Sequence, residues 1–229
     1  MRVTDPPYDL VVLVACADLE KLVGAVIERG EEMKCLAPTR FRIVRDPMRD
    51  QVCQAPERLV SPFLGDPGCR FLILWDHQGS GRELREAASV EAEVAERLER
   101  NGVEPGRVAA IALQPELEVV FPPVWDRVAA IMAQRRSSSV PSESDVLKRL
   151  KKQGRVFKDM RTALVAAPKE TLEALIACLR MRRSPALYET LGRSLSIRLL
   201  KGQEPASRVA TALETWFPGR AARGSVGCP

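Results

Sequence analysis

One histidine, His77, serves the whole chain of 229 residues, and aromatics make up only 5% of it. A single imidazole leaves no paired-histidine metal site. It also confines any Ser-His-Asp or Cys-His arrangement to His77, and no G-x-S-x-G elbow accompanies it. The six cysteines, at 16, 35, 53, 69, 178 and 228, never fall into C-x-x-C spacing. That excludes a zinc finger or ribbon, and thiols so scattered read as reduced and structural. No apolar run approaches the ~20 residues of a membrane span, so no membrane partner is expected. The first residues, Met-Arg-Val-Thr-Asp-Pro-Pro, carry an early acid and two prolines where a signal peptide needs a basic and then an apolar region. The expected location is cytoplasmic.

What is present is ordinary globular material, 45% apolar and 28% charged. The net charge of +5 is unevenly spread. Residues 1–134 hold 16 basic and 22 acidic side chains, whereas residues 135–201 hold 16 basic and 6 acidic. Such a split suggests an acidic module followed by a basic one. The densest basic stretch contains Lys148, Arg149, Lys151, Lys152, Arg155, Lys158 and Arg161. These cations suit a phosphate backbone or an acidic protein partner. A solvated helix face is the plainer reading, because no interleaved aromatics offer stacking platforms.

The hydrophobic pattern alternates between strand and helix periods. Residues 8–15 (YDLVVLVA) and 70–76 (RFLILWD) are apolar runs of strand length, as in strands covered on both faces. Residues 41–44 and 107–113 read as two further strands. Helices are expected at 18–29, 89–101 and 124–134, with Val90, Val94 and Leu98 the core stripe of the second and Glu91, Glu93, Glu96 and Glu99 largely on its wet side. The fold class is therefore α/β, a largely parallel sheet flanked by helices, followed by a basic, mainly helical C-terminal region. The expected organisation is an α/β domain over 1–134, a polar linker over 135–147, a basic helical region over 148–217 and a flexible tail over 218–229.

In parallel sheets, reactive groups gather at the carboxyl ends of the strands. There the sequence places Asp18 and Glu20 after the first strand, Asp76 at the end of the third, and Glu116 and Glu118 after the fourth. Converging carboxylates are the ligands Mg²⁺ prefers. The loop HQGSGR at 77–82 follows Asp76. Its Gly79 and Gly81 are turn residues, and His77 reads as an exposed loop histidine.

The stretches VVLVACADLEK (11–21), FLILWDHQGSG (71–81) and IALQPELEVVF (111–121) resemble a Toprim domain. More closely, the chain is similar to small Toprim-like proteins of bacterial antiphage defence operons, including methylation-associated systems. APKETLEAL (167–175), SPALYETLGRSLSI (184–197) and ALETWF (212–217) extend the resemblance over most of the chain. It implies a nucleic-acid-associated component of a defence complex, with other operon proteins as partners, DNA or RNA as a further partner, and Mg²⁺-dependent phosphodiester cleavage as the chemistry. Asp76 and Glu116 would then be the catalytic residues, and Asp76, Glu116 and Glu118 the metal ligands. Two positions depart from the family pattern. Ala15 stands where the first strand of Toprim nucleases ends in glutamate, and Gln78 stands where their Asp-x-Asp pair has its second acid. An alanine transfers no proton, and an amide is a weaker ligand for Mg²⁺ than a carboxylate. The resemblance therefore also admits an inactive scaffold or interaction subunit that positions a partner nuclease, helicase or ATPase, alone or as an oligomer.

Overall fold

The computed structural model describes residues 8–33, 40–48 and 51–218. Four strands, β1 (Leu10–Val14), β2 (Phe41–Arg45), β3 (Arg70–Asp76) and β4 (Val108–Leu113), form one sheet in the order β2-β1-β3-β4. All three pairings are parallel, with Val14 opposite both Arg45 and Leu74, and Asp76 opposite Leu113. The chain reverses its direction of winding between β1 and β3, so the crevice beyond their carboxyl ends is where such sheets hold ligands. β1 and β3 are central and covered on both faces, which explains their unbroken apolar runs. β2 is an edge strand and alternates arginine with apolar residues instead.

Helices α1 (Ala17–Ile27), α2 (Gln51–Gln54), α3 (Pro56–Val60), α4 (Ala87–Arg100) and α5 (Trp125–Arg135) connect and flank the strands. The Cys16 thiol caps α1 by accepting from the Leu19 amide at 3.4 Å. α4 carries the expected stripe of Val90, Val94 and Leu98 and ends before Gly102, whose φ of 94° only glycine adopts without strain.

Beyond α5 come α6 (Glu143–Lys152), α7 (Met160–Ala166), α8 (Pro168–Cys178), α9 (Pro185–Ser194), α10 (Ile197–Leu200) and α11 (Ala206–Trp216). Prolines open α8 and α9 at the first turn, where a missing amide proton costs nothing. The linker is shorter than the polar composition of 135–147 suggests: α6 starts at Glu143, its first turn capped by the Ser142 hydroxyl on the Asp145 amide at 3.2 Å. The basic stretch is two helices broken by a loop, not one. Of the expected tail, residues 219–229 lie outside the described residues.

The sheet divides the interior in two. One face, with Val11, Leu13, Phe71, Ile73 and Trp75, packs on α2, α3 and α4. The other, with Val12, Val14, Leu72, Leu74, Ile111 and Leu113, packs on α1 and α5 and continues without a break into Leu150, Leu172, Leu175, Leu191 and Leu213. The C-terminal helices thus share the core of the sheet and have no separate one. α9 lies against α1 so closely that a Cβ on Gly192 would stand 2.8 Å from both the Leu22 carbonyl and the Ala25 methyl.

Candidate functional site

Of the carboxylates foreseen at the strand ends, Asp18, Asp76, Glu116 and Glu118 meet, though not alone, whereas Glu20 turns away to Arg45 at 3.2 Å. Asp76 closes β3 and its Oδ1 accepts from the Leu117 amide at 2.8 Å. The loop after Asp76 is tied to the loop after β4 by the Gln78 amide on the Pro115 carbonyl at 2.9 Å. Leu117–Val120 forms a single 3-10 turn that carries Glu118 inward, where it is 2% exposed. There Glu118 Oε1 accepts from Arg183 Nη2 at 2.9 Å and from the Tyr188 hydroxyl at 2.5 Å. The Arg183 guanidinium also reaches Asp18 Oδ2 at 2.9 Å and Glu173 Oε1 at 3.0 Å, and lies 5.4 Å from the centre of the Tyr188 ring. Glu116 Oε1 is held by Lys169 Nζ at 2.5 Å.

Each of these partners of the acids comes from the C-terminal helical region. Lys169 sits in the first turn of α8, Arg183 in the segment between α8 and α9, and the Tyr188 hydroxyl on α9. Arg183 occupies the position among the acids that a cation would need. Asp76 is the exception, with no cation within ion-pair distance among the described residues. Burial foremost, and then the negative charge of Glu118, push its carboxyl up to about 7, against the Leu117 amide. Burial also pushes the Glu118 carboxyl up, opposed by the Tyr188 hydroxyl and Arg183. Burial alone would lower the Arg183 pKa, but the negative groups around it, Glu118 and Asp18 among them, hold it above its usual value. The Tyr188 hydroxyl is driven well above the ordinary range by burial and the adjacent Glu118. It remains a proton donor.

Alternation along the strands separates two positions that the sequence suggests are neighbours. Ala15 continues the Val11–Leu13 face and packs in the core that holds Trp75, Val52 and Cys53. Asp76 continues the Leu72–Leu74 line on the opposite face. The β1 end that faces Asp76 is Cys16, whose thiol is raised to about 11 by burial and then by Asp76. It is therefore a protonated capping group, not a nucleophile. Gln78 is exposed in its loop. His77 is buried, at 5% exposure, which corrects the expectation of an exposed loop histidine. Its Nε2 meets the Arg85 carbonyl at 3.0 Å, and its Nδ1 has no partner among the described residues. Asp46, at the end of β2, is a further strand-end carboxylate, 1% exposed, and it spends both oxygens on the Met48, Gln51 and Val52 amides.

Mg²⁺ does not fit this arrangement. Glu118 and Glu116, two of the three foreseen ligands, are already engaged by Arg183, Tyr188 and Lys169. Among the described residues no group of three or more His, Cys, Asp or Glu side chains is disposed to hold a metal ion.

The basic stretch presents the opposite picture. Lys148, Arg149, Lys151, Lys152, Arg155, Lys158 and Arg161 are all exposed. Lys148 pairs with Asp145 at 3.8 Å and Arg155 with Glu170. Among the described residues Arg149, Lys151, Lys152, Lys158 and Arg161 have no ion-pair partner. They surround the end of α6 and the loop that leads into α7. No helix of the described residues is long and apolar enough to cross a membrane.

The residues that sequence reasoning missed are Lys169, Arg183 and Tyr188. One signal was available: Tyr188 is one of only two tyrosines in the chain, in a helix otherwise readable as amphipathic. No family model matches this chain, nor does any curated protein or solved structure.

Proposed function

We propose that this chain is a non-hydrolytic, Toprim-like interaction subunit of a bacterial antiphage defence complex, associated with nucleic acid through the basic surface of α6 and the α6–α7 loop. The observation that carries this reading is the Arg183 guanidinium set among Asp18, Glu118 and Glu173. A nuclease of Toprim type needs those strand-end acids free for a cation and for proton transfer. Here the protein's own C-terminal region answers them and ties them into its core. The carboxylates then work as a fastening between the sheet and the helices, and the basic surface of α6 and the α6–α7 loop is left for nucleic acid.

Titration of the full chain with Mg²⁺ and Mn²⁺ by calorimetry, beside cleavage assays on DNA and RNA, tests the non-hydrolytic part. The expected result is no saturable heat and no cleavage. Cleavage that stops with EDTA and is lost in Asp76→Asn would replace this reading with the hydrolytic one, in which Asp76 and Glu116 are the working pair. Binding of a labelled oligonucleotide that weakens steeply with salt is expected in either case.

A further inference from the structure

β4 is an edge of the sheet, and among the described residues no strand pairs with its outer side. The ladder to β3 fixes which groups point outward. The Phe71 amide donates to the Arg107 carbonyl and the His77 amide to the Leu113 carbonyl. With Phe71 opposite Val108, the odd-numbered residues of β4 therefore bond to β3. The amides and carbonyls of Val108, Ala110 and Ala112 face away from the sheet. One of these is taken: the Ala112 amide donates to Glu91 Oε1 at 2.8 Å. Glu91 is accordingly buried, not on the wet side of α4, and Arg208 of α11 clamps it through Nη1 at 2.9 Å and Nη2 at 2.6 Å. Among the described residues the Val108 and Ala110 amides have no hydrogen-bond acceptor.

α11 runs beside this edge without closing it. It is held at one end by the Arg208–Glu91 pair and at the other by Trp216 Nε1 on the Gly106 carbonyl at 2.9 Å. Between α4 and α11 lies a groove of about 590 Å³, with β4 as its floor. Small side chains, Ala92 and Ala95 on one wall and Thr211 and Ala212 on the other, keep it wide. Past the Arg208–Glu91 pair it continues into a hollow of about 300 Å³ bordered by Glu86 and Glu204. Neither of those carboxylates has an ion-pair partner among the described residues, so that end of the groove is net negative.

We propose that this groove receives an extended peptide segment of a partner protein, which adds to β4 as a short strand. The segment hydrogen-bonds the Val108 and Ala110 main chain, turns small side chains toward the alanine walls, and sets a lysine or arginine against Glu86 and Glu204. Main-chain pairing supplies affinity in such additions and the side-chain pockets supply selectivity. The inference rests on the reading of the chain as an interaction subunit and gives its partner a chemistry.

Random decapeptides displayed on phage and selected against the full chain test it, with the enriched peptides then resynthesised for binding by fluorescence polarisation. Enrichment of extended sequences with small residues and a basic residue is expected. Affinity should fall about ten-fold or more in Ala92→Phe, which fills the groove from an exposed position. It should fall similarly in Ala110→Pro, which removes an outward amide and leaves the ladder to β3 intact. Peptide binding should also slow hydrogen exchange at the Val108 and Ala110 amides. Peptides selected equally by Ala92→Phe, or unchanged exchange at those two amides, would overturn the proposal. So would a dimer of this chain that Ala92→Phe dissociates, which would assign the edge to self-pairing. EDTA-sensitive cleavage would overturn the non-hydrolytic reading while leaving this peptide binding in place, so the two failures are distinguishable.

Discussion

The acids at the strand ends and the cations of residues 148–161 are both dense clusters of one sign, and they differ in what answers them. Asp18, Glu116 and Glu118 are met by Arg183 and Lys169 from another part of the chain, in an environment that excludes water from Glu118 almost completely. Arg149, Lys151, Lys152, Lys158 and Arg161 are met by solvent. Charge buried against charge holds a fold in one arrangement, since removing either partner strands the other in a low dielectric. Charge left in water contributes little to stability and remains available to a partner. On the proposed reading the acidic cluster, which looks most like a catalytic site in the sequence, serves as a structural fastening.

The sharpest way to break the comparison is Arg183→Ala. If the acids are a fastening, this change leaves Glu118 buried with only the Tyr188 hydroxyl. The expected loss is about 3 kcal/mol in urea denaturation at pH 7, at the lower end for a buried pair, because the Arg183 side chain keeps 32% exposure. Adding Glu118→Gln should restore more than half of it, since a neutral amide tolerates burial beside Tyr188. A loss below about 1 kcal/mol would put Arg183 with ordinary surface pairs.

Among the described residues Asp76 is the one acid of the cluster without a cation, and pH exposes that difference. Its folded carboxyl is raised from 3.8 to about 7, so folding takes up a proton between those values. Stability from this group is present below about pH 4 and is lost as pH rises to about 7. Asp76→Asn keeps an oxygen for the Leu117 amide and carries no charge. It should be more stable than the parent by roughly 2 to 4 kcal/mol at pH 8, the upper figure being the full rise from 3.8 to about 7 at about 1.4 kcal/mol per pH unit, a gap that closes toward pH 4. A gap that widens on acidification would mean that Asp76 is held as a carboxylate by a cation.

Local pattern carried much of this architecture and little of its wiring. The third strand was legible to the residue because five apolar positions run between Arg70 and an acid, and the α4 stripe because its period is helical. The gathering of Asp18, Asp76, Glu116 and Glu118 followed from the parallel order of the strands. What cancels them did not follow. Arg183 lies 65 residues from Glu118 and Lys169 lies 53 from Glu116, and in the sequence both simply add to the basic count of 135–201. The face of Ala15 was misleading for a related reason: a one-residue step at a strand end reverses direction, so Cys16, not Ala15, looks at Asp76. The polar linker suggested two separate bodies, although a short connection can equally join helices that share a core.

Tyr188→Phe probes the same fastening more gently. The ring stays packed near Phe121, 6.2 Å between centroids, and only the hydroxyl on Glu118 is lost. One hydrogen bond to a charged acceptor is worth about 1.5 kcal/mol or somewhat more, and Arg183 still neutralises the carboxylate. Thermal denaturation at pH 7 should therefore place this variant between the parent and Arg183→Ala. A cost equal to that of Arg183→Ala would make the hydroxyl, not the guanidinium, the main support of Glu118.

The smallest expected effect on folding belongs to the other cluster. Replacing Arg149, Lys151, Lys152, Lys158 and Arg161 by glutamine removes cations that have no ion-pair partner among the described residues. Each change should alter stability by about 0.5 kcal/mol or less, the first three slightly more than the rest because they complement the carbonyl end of α6. The same five changes should nearly abolish oligonucleotide binding. Each phosphate contact contributes roughly 0.7 to 0.9 to the slope of log affinity against log salt, so losing five should flatten the slope by roughly 3.5 to 4.5. An unchanged slope would mean that the phosphate backbone lies elsewhere on the protein. A loss of several kcal/mol in folding would mean that these cations are answered after all, and the contrast with the strand-end acids would fail from its basic side.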